Sequence, residues 1–418
     1  MSGQAGRRRR VVVTGLGCVS PLGGDVVSTW AALTAGASGV SELRRFDASS
    51  LPVRIAAECA ADAGPKSLAP KEARRLDRST RLALAAAEEA IADAAVAAGA
   101  VDPLRVAVVV GTSIGGIETL LEAHDVLRER GARRISPFVV PMTLPNMTAG
   151  FVSMHGGFRG PIACPVGACA SGAQALGLAA RMIERGDADV ALAGGTEAAI
   201  LPLVVAGFAS MRALSTRNDE PVRASRPFDR GRDGFVIAEG AAILVLEAEE
   251  TAVARGARAR ARWLGFGEAA DATHPASPPE DGHGARLAIE RALADAGLPP
   301  DAVDSLAAHA TSTPAGDRAE VVALRAVFGG HLERVPVSAT KASTGHLLGA
   351  AGALAAIFCV RALETGLLPP TINLDDPDPE CALDHVAQKA RPQPTHVAIS
   401  NAFGFGGVNA SLVLGRAA

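Results

Sequence analysis

Cys169 stands where a short apolar stretch, Gly160-Pro-Ile-Ala-Cys-Pro-Val166, gives way to helical spacing. From Ser171 the apolar residues recur at Ala173, Leu176, Ala180 and Ile183. Gly186 follows as a C-cap, with Arg181 and Arg185 where a helix dipole favours cations. This predicts a strand, then Cys169, then a nearly uncharged helix that belongs in the interior. A thiol at such a helix start faces unpaired backbone N–H groups, which lower its pKa and supply thiolate near neutral pH. That chemistry is a nucleophile's; a structural core cysteine is the reading this stretch alone leaves open. Two histidines qualify as partners. His309 opens His-Ala-Thr-Ser-Thr-Pro-Ala-Gly-Asp317, and His346 closes Lys341-Ala-Ser-Thr-Gly-His346. Each follows a strand end and sits among small residues that leave room for a ligand. His124, His331 and His396 read instead as surface or satisfied core residues. Cys164 and Cys169 lack a second close pair, so no zinc site is expected. Asn401-Ala-Phe-Gly-Phe-Gly-Gly-Val-Asn409 has a phosphate loop's glycines, but a strand, Ser411–Leu414, follows it and disfavours a nucleotide. Phe405 between glycines suits a mobile aromatic gate or a tight β-turn.

The elements that must position these residues come in two similar series. The first predicts a strand over 10–15 ending in a Gly-Leu-Gly turn, a short helix over 30–33, an alanine-rich helix over 78–98 ended by Gly99, and a strand over 105–110. A helix over 117–130, the Cys169 unit and a strand over 189–194 follow, then a loop-rich segment over 204–240 and a strand over 241–246. The second predicts a helix over 286–296 ended by Gly297, strands over 305–308 and 335–341, and a helix over 346–364 ended by Gly366. Helix–Gly–strand–His309 repeats helix–Gly99–strand–Gly111, and the His346 unit repeats the Cys169 unit. Near-continuous apolar strands between helices predict α/β halves with helices on both faces of largely parallel or mixed sheets. If the halves are pseudo-symmetric, equivalent strand ends meet and bring His309 and His346 to Cys169. The expected division is a frayed tail over 1–9, an N-terminal half over 10–255 and a C-terminal half over 256–418.

Composition limits the function classes. Hydrophobic residues make up 48% of 418, aromatics only 3%, and tyrosine is absent, so the core is built from close backbone approach rather than aromatic clusters. A net charge of −3 shows no nucleic-acid footprint. Six scattered cysteines suggest a reducing cytosol. No apolar run reads as long enough to span a membrane.

Together, Val166-Gly-Ala-Cys169-Ala-Ser-Gly172, the His309 run, Lys341-Ala-Ser-Thr-Gly-His346 and Asn401–Asn409 resemble those of the β-ketoacyl synthases, the elongating condensing enzymes of type II fatty acid synthesis and their polyketide relatives. The resemblance runs from about 10 to 415 and includes Ala213-Leu-Ser-Thr-Arg-Asn-Asp219. It implies the thiolase fold: duplicated halves in α-β-α-β-α layers, usually dimeric. It assigns Cys169 as nucleophile, His309 and His346 as the catalytic histidines, Lys341 as an electrostatic residue near His346, and Phe405 as gate. It implies Asp317 and Glu320 as supports of the histidine–lysine network, Ile114 as an acyl-pocket wall, and Thr311 and Thr313 as contacts of the phosphopantetheine arm. The amides of Cys169 and Phe405 would form the oxyanion hole. The implied partner is an acidic acyl carrier protein, met by Arg74, Arg75, Arg133, Arg134 and Arg212, and the implied cytoplasmic assembly is a homodimer or a heterodimer with a chain-length-factor-like subunit. No metal or organic cofactor is implied. A non-catalytic chain-length-factor-like subunit would lack the cysteine, and a thiolase would carry a second cysteine in place of the histidine pair. Ala310, Val408, Ala276 and Ala238-Glu-Gly-Ala-Ala242 depart from the family pattern, which turns the expectation toward a specialised polyketide or polyene pathway.

Overall fold

The computed structural model describes residues 8–96 and 99–417. Its main sheet has ten strands: β1 Val11–Val19, β2 Val106–Gly111, β3 Ile162–Ala163, β4 Val190–Glu197, β5 Gly240–Ala248, β6 Ala261–Ala270, β7 Ser305–Ala307, β8 Val337–Ser338, β9 Val397–Gly404 and β10 Val408–Arg416. Their spatial order is β3-β2-β4-β5-β1 followed by β6-β10-β9-β7-β8. Each strand of the first five thus has its counterpart five strands later. The pairing senses match as well. β2 runs parallel to β3 and β4, as β7 does to β8 and β9. β5 is antiparallel to β4 and β1, as β10 is to β9 and β6. The halves are joined where Val11–Val13 pairs with Ala261–Trp263.

Four helices build the layers: α1 Arg78–Ala94, α2 Ser171–Arg185, α3 His283–Ala296 and α4 Ala351–Thr365. α1 covers β1, β5 and β4, and α3 covers β6 and β10, one on each outer face. α2 and α4 pack on each other and touch strands of both halves, so they form the central layer. The result is the five-layer α-β-α-β-α stack.

The Gly-Leu-Gly turn expected after residue 15 is not a turn. β1 continues through it to Val19, with a bulge in its pairing between Val13 and Gly15. The glycines are there because α1 crosses at that point: a Cβ on Gly15 would lie 2.4 Å from the Ala90 carbonyl oxygen, and one on Gly17 2.0 Å from that of Ala86. The helix expected over 78–98 ends earlier, where Ala95 takes a left-handed cap at φ 52°, and 97–98 lie outside the described residues. The segment expected to be loop-rich from 204 opens with a helix, Pro202–Ser210. Lys341 lies not in a strand but in a short helix, Lys341–Thr344, after β8. Of the tail expected over 1–9, Arg8 and Arg9 are described; Arg8 pairs with Asp295 at 2.6 Å and Arg9 with Asp189 at 2.8 Å. Residues 1–7 lie outside the described set. One helical segment, Leu348–Thr365, is long and apolar enough to cross a membrane, contrary to the expectation from sequence, but 83% of it is buried inside the fold as the central layer.

At the central crossing the halves meet at backbone contact. A Cβ on Gly172 would lie 2.8 Å from the Gly349 carbonyl oxygen, and one on Gly352 2.9 Å from the Ala173 nitrogen. Backbone, not a flexible side chain, would have to yield. Gly352→Ala is therefore expected to lower stability by about 1–3 kcal/mol, read as a reduced midpoint of urea unfolding.

Candidate active site

The turn Ala168–Ala170 leads into α2 just as Leu348–Ala350 leads into α4. Both turns hold a non-glycine residue in the left-handed region, Ala168 at φ 48° and Leu348 at φ 46°. The Ala168 carbonyl accepts from Ser113 Oγ at 2.8 Å and Ser171 Oγ at 2.7 Å, which offsets the cost of that conformation. The Cys169 sulfur then lies 3.0 Å from His346 Nε2. The backbone N–H groups of Phe405 and of Cys169 itself also reach it.

His346 is held by the segment that reads as loop in the sequence. Its N–H donates to the Val236 carbonyl at 2.8 Å, and its carbonyl accepts from the Ala238 N–H at 3.0 Å. Phe235 stands edge-on to its ring, with centroids 5.4 Å apart. The His309 ring is 5.6 Å from that of His346 and nearly perpendicular to it. Glu320 fixes the backbone there, accepting the N–H groups of His309 at 2.9 Å and Ala310 at 2.7 Å. Ala310, where the family resemblance leads one to expect glycine, is forced to φ 23°. The two imidazoles and the sulfur therefore converge from separate halves.

The supporting residues act in different ways. Lys341 donates from Nζ to the carbonyl of His309, and its charge acts on the ring of His346. Asp317 touches neither histidine: it accepts from the N–H groups of Phe228 at 2.9 Å and Ser312 at 3.1 Å and lies 3.5 Å from Arg232 Nε. Glu320 also accepts from Asn401 at 3.1 Å. Ile114, Thr311, Thr313, Arg212 and Phe405 line one cavity of about 660 Å³ together with Cys169, His309 and His346. The hydroxyls of Thr311 and Thr313 are 3.1 Å apart. Phe405 is 38% exposed in the β9–β10 turn, beside left-handed glycines 406 and 407. Arg74, Arg133 and Arg134 are exposed on the outside, and Arg75 lies over the Phe138 ring at 5.0 Å. Ala276 lines the cavity and Val408 packs near Gly167. Phe208 and His274 also line the cavity, and nothing in the local sequence singled them out. Glu197 adjoins the site too; a lone carboxylate ending a buried strand of small and apolar residues marks it in the sequence. Among the described residues no cluster of three or more His, Cys, Asp or Glu is arranged to hold a metal ion.

The thiol is not a resting thiolate. Burial pushes Cys169 up to about 12, and the Glu197 carboxylate adds to the rise. The positive charge of Lys341 and the two amides at the sulfur act the other way but do not prevail. Desolvation of the anion outweighs the few partial charges of the helix start. Burial also lowers Lys341 to about 8. His309 and His346 are held well below the ordinary imidazole range by burial, with Lys341 adding to it, so both are neutral at pH 7.

The sequence profile described as "Beta-ketoacyl synthase, N-terminal domain" matches residues 8–252, and its C-terminal counterpart matches 260–375. The chain belongs to the β-ketoacyl synthase family. It is 45% identical over 405 residues to 3-oxoacyl-[acyl-carrier-protein] synthase 2 of Synechocystis sp., covering 97% of each chain. Among solved structures it matches a type II polyketide ketosynthase in complex with its acyl carrier protein and bound to a hexaketide, with a TM-score of 0.90 and 32% identity, over 98% of this chain and 100% of that one. It also matches the ishigamide ketosynthase/chain length factor with a TM-score of 0.90 and 33% identity, over 98% and 100% respectively. This β-ketoacyl synthase is thus an acyltransferase of the thiolase fold.

A thiol of pKa about 12 gives a definite signature in the free enzyme. The thiolate fraction grows about tenfold per pH unit below that value. Alkylation of Cys169 by iodoacetamide should therefore climb steadily from pH 7 to 9; a plateau below pH 8, read by peptide mass, would contradict it.

Proposed function

We propose that this chain performs the decarboxylative Claisen condensation of an acyl thioester with a malonyl thioester, with both substrates carried on the phosphopantetheine of an acyl carrier protein. The observation that carries the reading is the 3.0 Å approach of His346 Nε2 to the Cys169 sulfur, with the His309 ring beside it in one apolar-walled cavity.

In the first half-reaction the sulfur attacks the acyl carbon. Neutral His346 receives the thiol proton at Nε2 as the S–C bond forms and passes it to the departing pantetheine sulfur. The tetrahedral oxyanion is met by the amides of Cys169 and Phe405. In the second, the malonyl carboxylate leaves as CO₂ and its bonding pair becomes the enolate. That oxygen is stabilised by Nε2–H of His309 and His346. Among the described residues neither Nδ1 has a hydrogen-bond partner that fixes its tautomer; between the half-reactions His346 gains a proton at Nε2 from solvent and loses the one on Nδ1 to it, so Nε2 accepts in the first step and donates in the second. The carbanion attacks the Cys169 thioester, the new C–C bond forms, the C–S bond breaks, and the sulfur regains a proton from solvent. Charge in this scheme is met by the chain's own groups, with no metal or organic cofactor.

The exposed cations Arg74, Arg75, Arg133 and Arg134, with Arg212 at the cavity, would steer an acidic carrier protein to the cavity mouth. An apolar face supports assembly with a second chain. Exposed Leu120, Val140, Leu144, Met154, Ile162 and Val166 run from the helix Ile117–Arg130 to the outer edge of β3, where the sheet's backbone groups are open. The partner there is a copy of this chain or a chain-length-factor-like subunit. Free cysteines fit a reducing cytoplasm.

With a radiolabelled acyl-carrier thioester, Cys169→Ala should abolish acyl transfer to the protein; label retained on that variant overturns the assignment of the nucleophile. His309→Ala should still acylate but lose malonyl decarboxylation by about 100-fold or more, which release of labelled CO₂ would measure, whereas His346→Ala should slow both acylation and decarboxylation. Ile162→Arg should convert a dimer to monomer in light scattering.

A further inference from the structure

The two halves do not treat their equivalent positions alike. The turn before α2 and the turn before α4 superpose in sequence order, so Gly349 mirrors Cys169. β4 and β9 are both eight residues long and end at the same place, so Glu197 mirrors Gly404. On the Cys169 side, a Cβ on Gly404 would stand 3.1 Å from the Cys169 nitrogen, and the absence of that side chain leaves the amide free to face the cavity. On the mirror side the carboxylate of Glu197 fills the corresponding space and takes the Gly349 N–H at 3.2 Å.

The same carboxylate holds a third segment. It accepts from Thr112 Oγ1 at 3.1 Å, the Ser113 N–H at 2.6 Å and the Ile114 N–H at 3.3 Å. Ser113 in turn donates to the Ala168 carbonyl at 2.8 Å. Glu197 thus ties together the turn under Cys169, the Ile114 wall of the cavity and the loop that follows His346. It is fully buried, and these donors, rather than a cation, oppose the cost of burying its charge. Building such a group into an otherwise apolar core is hard to account for by stability alone.

We infer that Glu197 is a positioning residue for this reaction: by occupying the mirror image of the oxyanion hole it locks the Cys169 turn, Ile114 and the His346 loop in register. The inference rests on the β-ketoacyl synthase reading of Cys169 and His346. It has an electrostatic corollary. The charged groups that act on the sulfur are Glu197 from β4 and Lys341 from the short helix after β8, with the neutral rings of His309 and His346 beside them. Of the two charged groups, Glu197 adds to the rise that burial imposes on the thiol and Lys341 opposes it, while burial raises Glu197 itself.

Glu197→Gln tests both parts, because an amide NH₂ would face the N–H donors and the charge would be gone. Expected are a fall in kcat for condensation of about 100-fold with a smaller change in KM, and alkylation of Cys169 at pH 8 faster by about tenfold, a shift of its pH profile by roughly one unit to lower pH. A structural role alone would lower the urea midpoint and move neither quantity per folded molecule; that result overturns the inference. If Glu197→Gln does not fold, the near-isosteric Thr112→Val, which removes one donor, should move kcat and alkylation in the same directions by about threefold, and no movement in either overturns it. Alkylation is read without any acyl substrate. Its failure is therefore separate from a failure of acyl transfer to Cys169, which would instead remove the condensation reading.

Discussion

Everything at the site depends on how closely two helix starts can approach. α2 and α4 meet through Gly172 and Gly352 at backbone contact, and that contact sets the separation between the turn carrying Cys169 and the chain carrying His346. Larger residues at the crossing would hold the halves apart by about a side chain's width, beyond hydrogen-bond reach of sulfur and imidazole. Scarcity of aromatics and abundance of alanine and glycine follow from the same demand. The core is a stack of close-set backbones, and its chemistry is assembled at the one level where both halves end.

A second constraint is the cost of putting ionisable groups in that stack. Glu197, Glu320 and Asp317 are each buried, and each spends its oxygens on backbone N–H groups of loops that line or adjoin the cavity. Burial raises Asp317 to about 7 and brings Lys341 down to about 8, so the interior carries less charge than its composition suggests. Left-handed Ala168, Ala310 and Leu348 sit beside Cys169, His309 and His346 respectively. Strain and buried acids therefore occur together, with each acid or hydroxyl pinning a loop that would otherwise relax.

Much of this was legible in the residues. Apolar strands followed by small-residue turns and glycine-ended helices marked Cys169 and His346 as equivalent units, and the strand order repeats that pairing. Other features were illegible because their cause lies in a distant neighbour. Gly15 and Gly17 read as a turn until Ala86 and Ala90 of α1 are seen pressed against them. Lys341 finds its acceptor on His309, 32 positions away in the chain. The raised pKa of Cys169 could not be read from a helix start, because it is set by the walls that distant segments pack around the half-buried sulfur. The helix Pro202–Ser210 is uniformly apolar and lacks the period that would betray it.

The protonated thiol has a consequence outside the condensation itself. Peroxides and other oxidants attack the anion far faster than the S–H form. Held protonated, the Cys169 thiol presents little to them. The surroundings that raise the Cys169 pKa thereby also slow sulfenic acid formation at that sulfur.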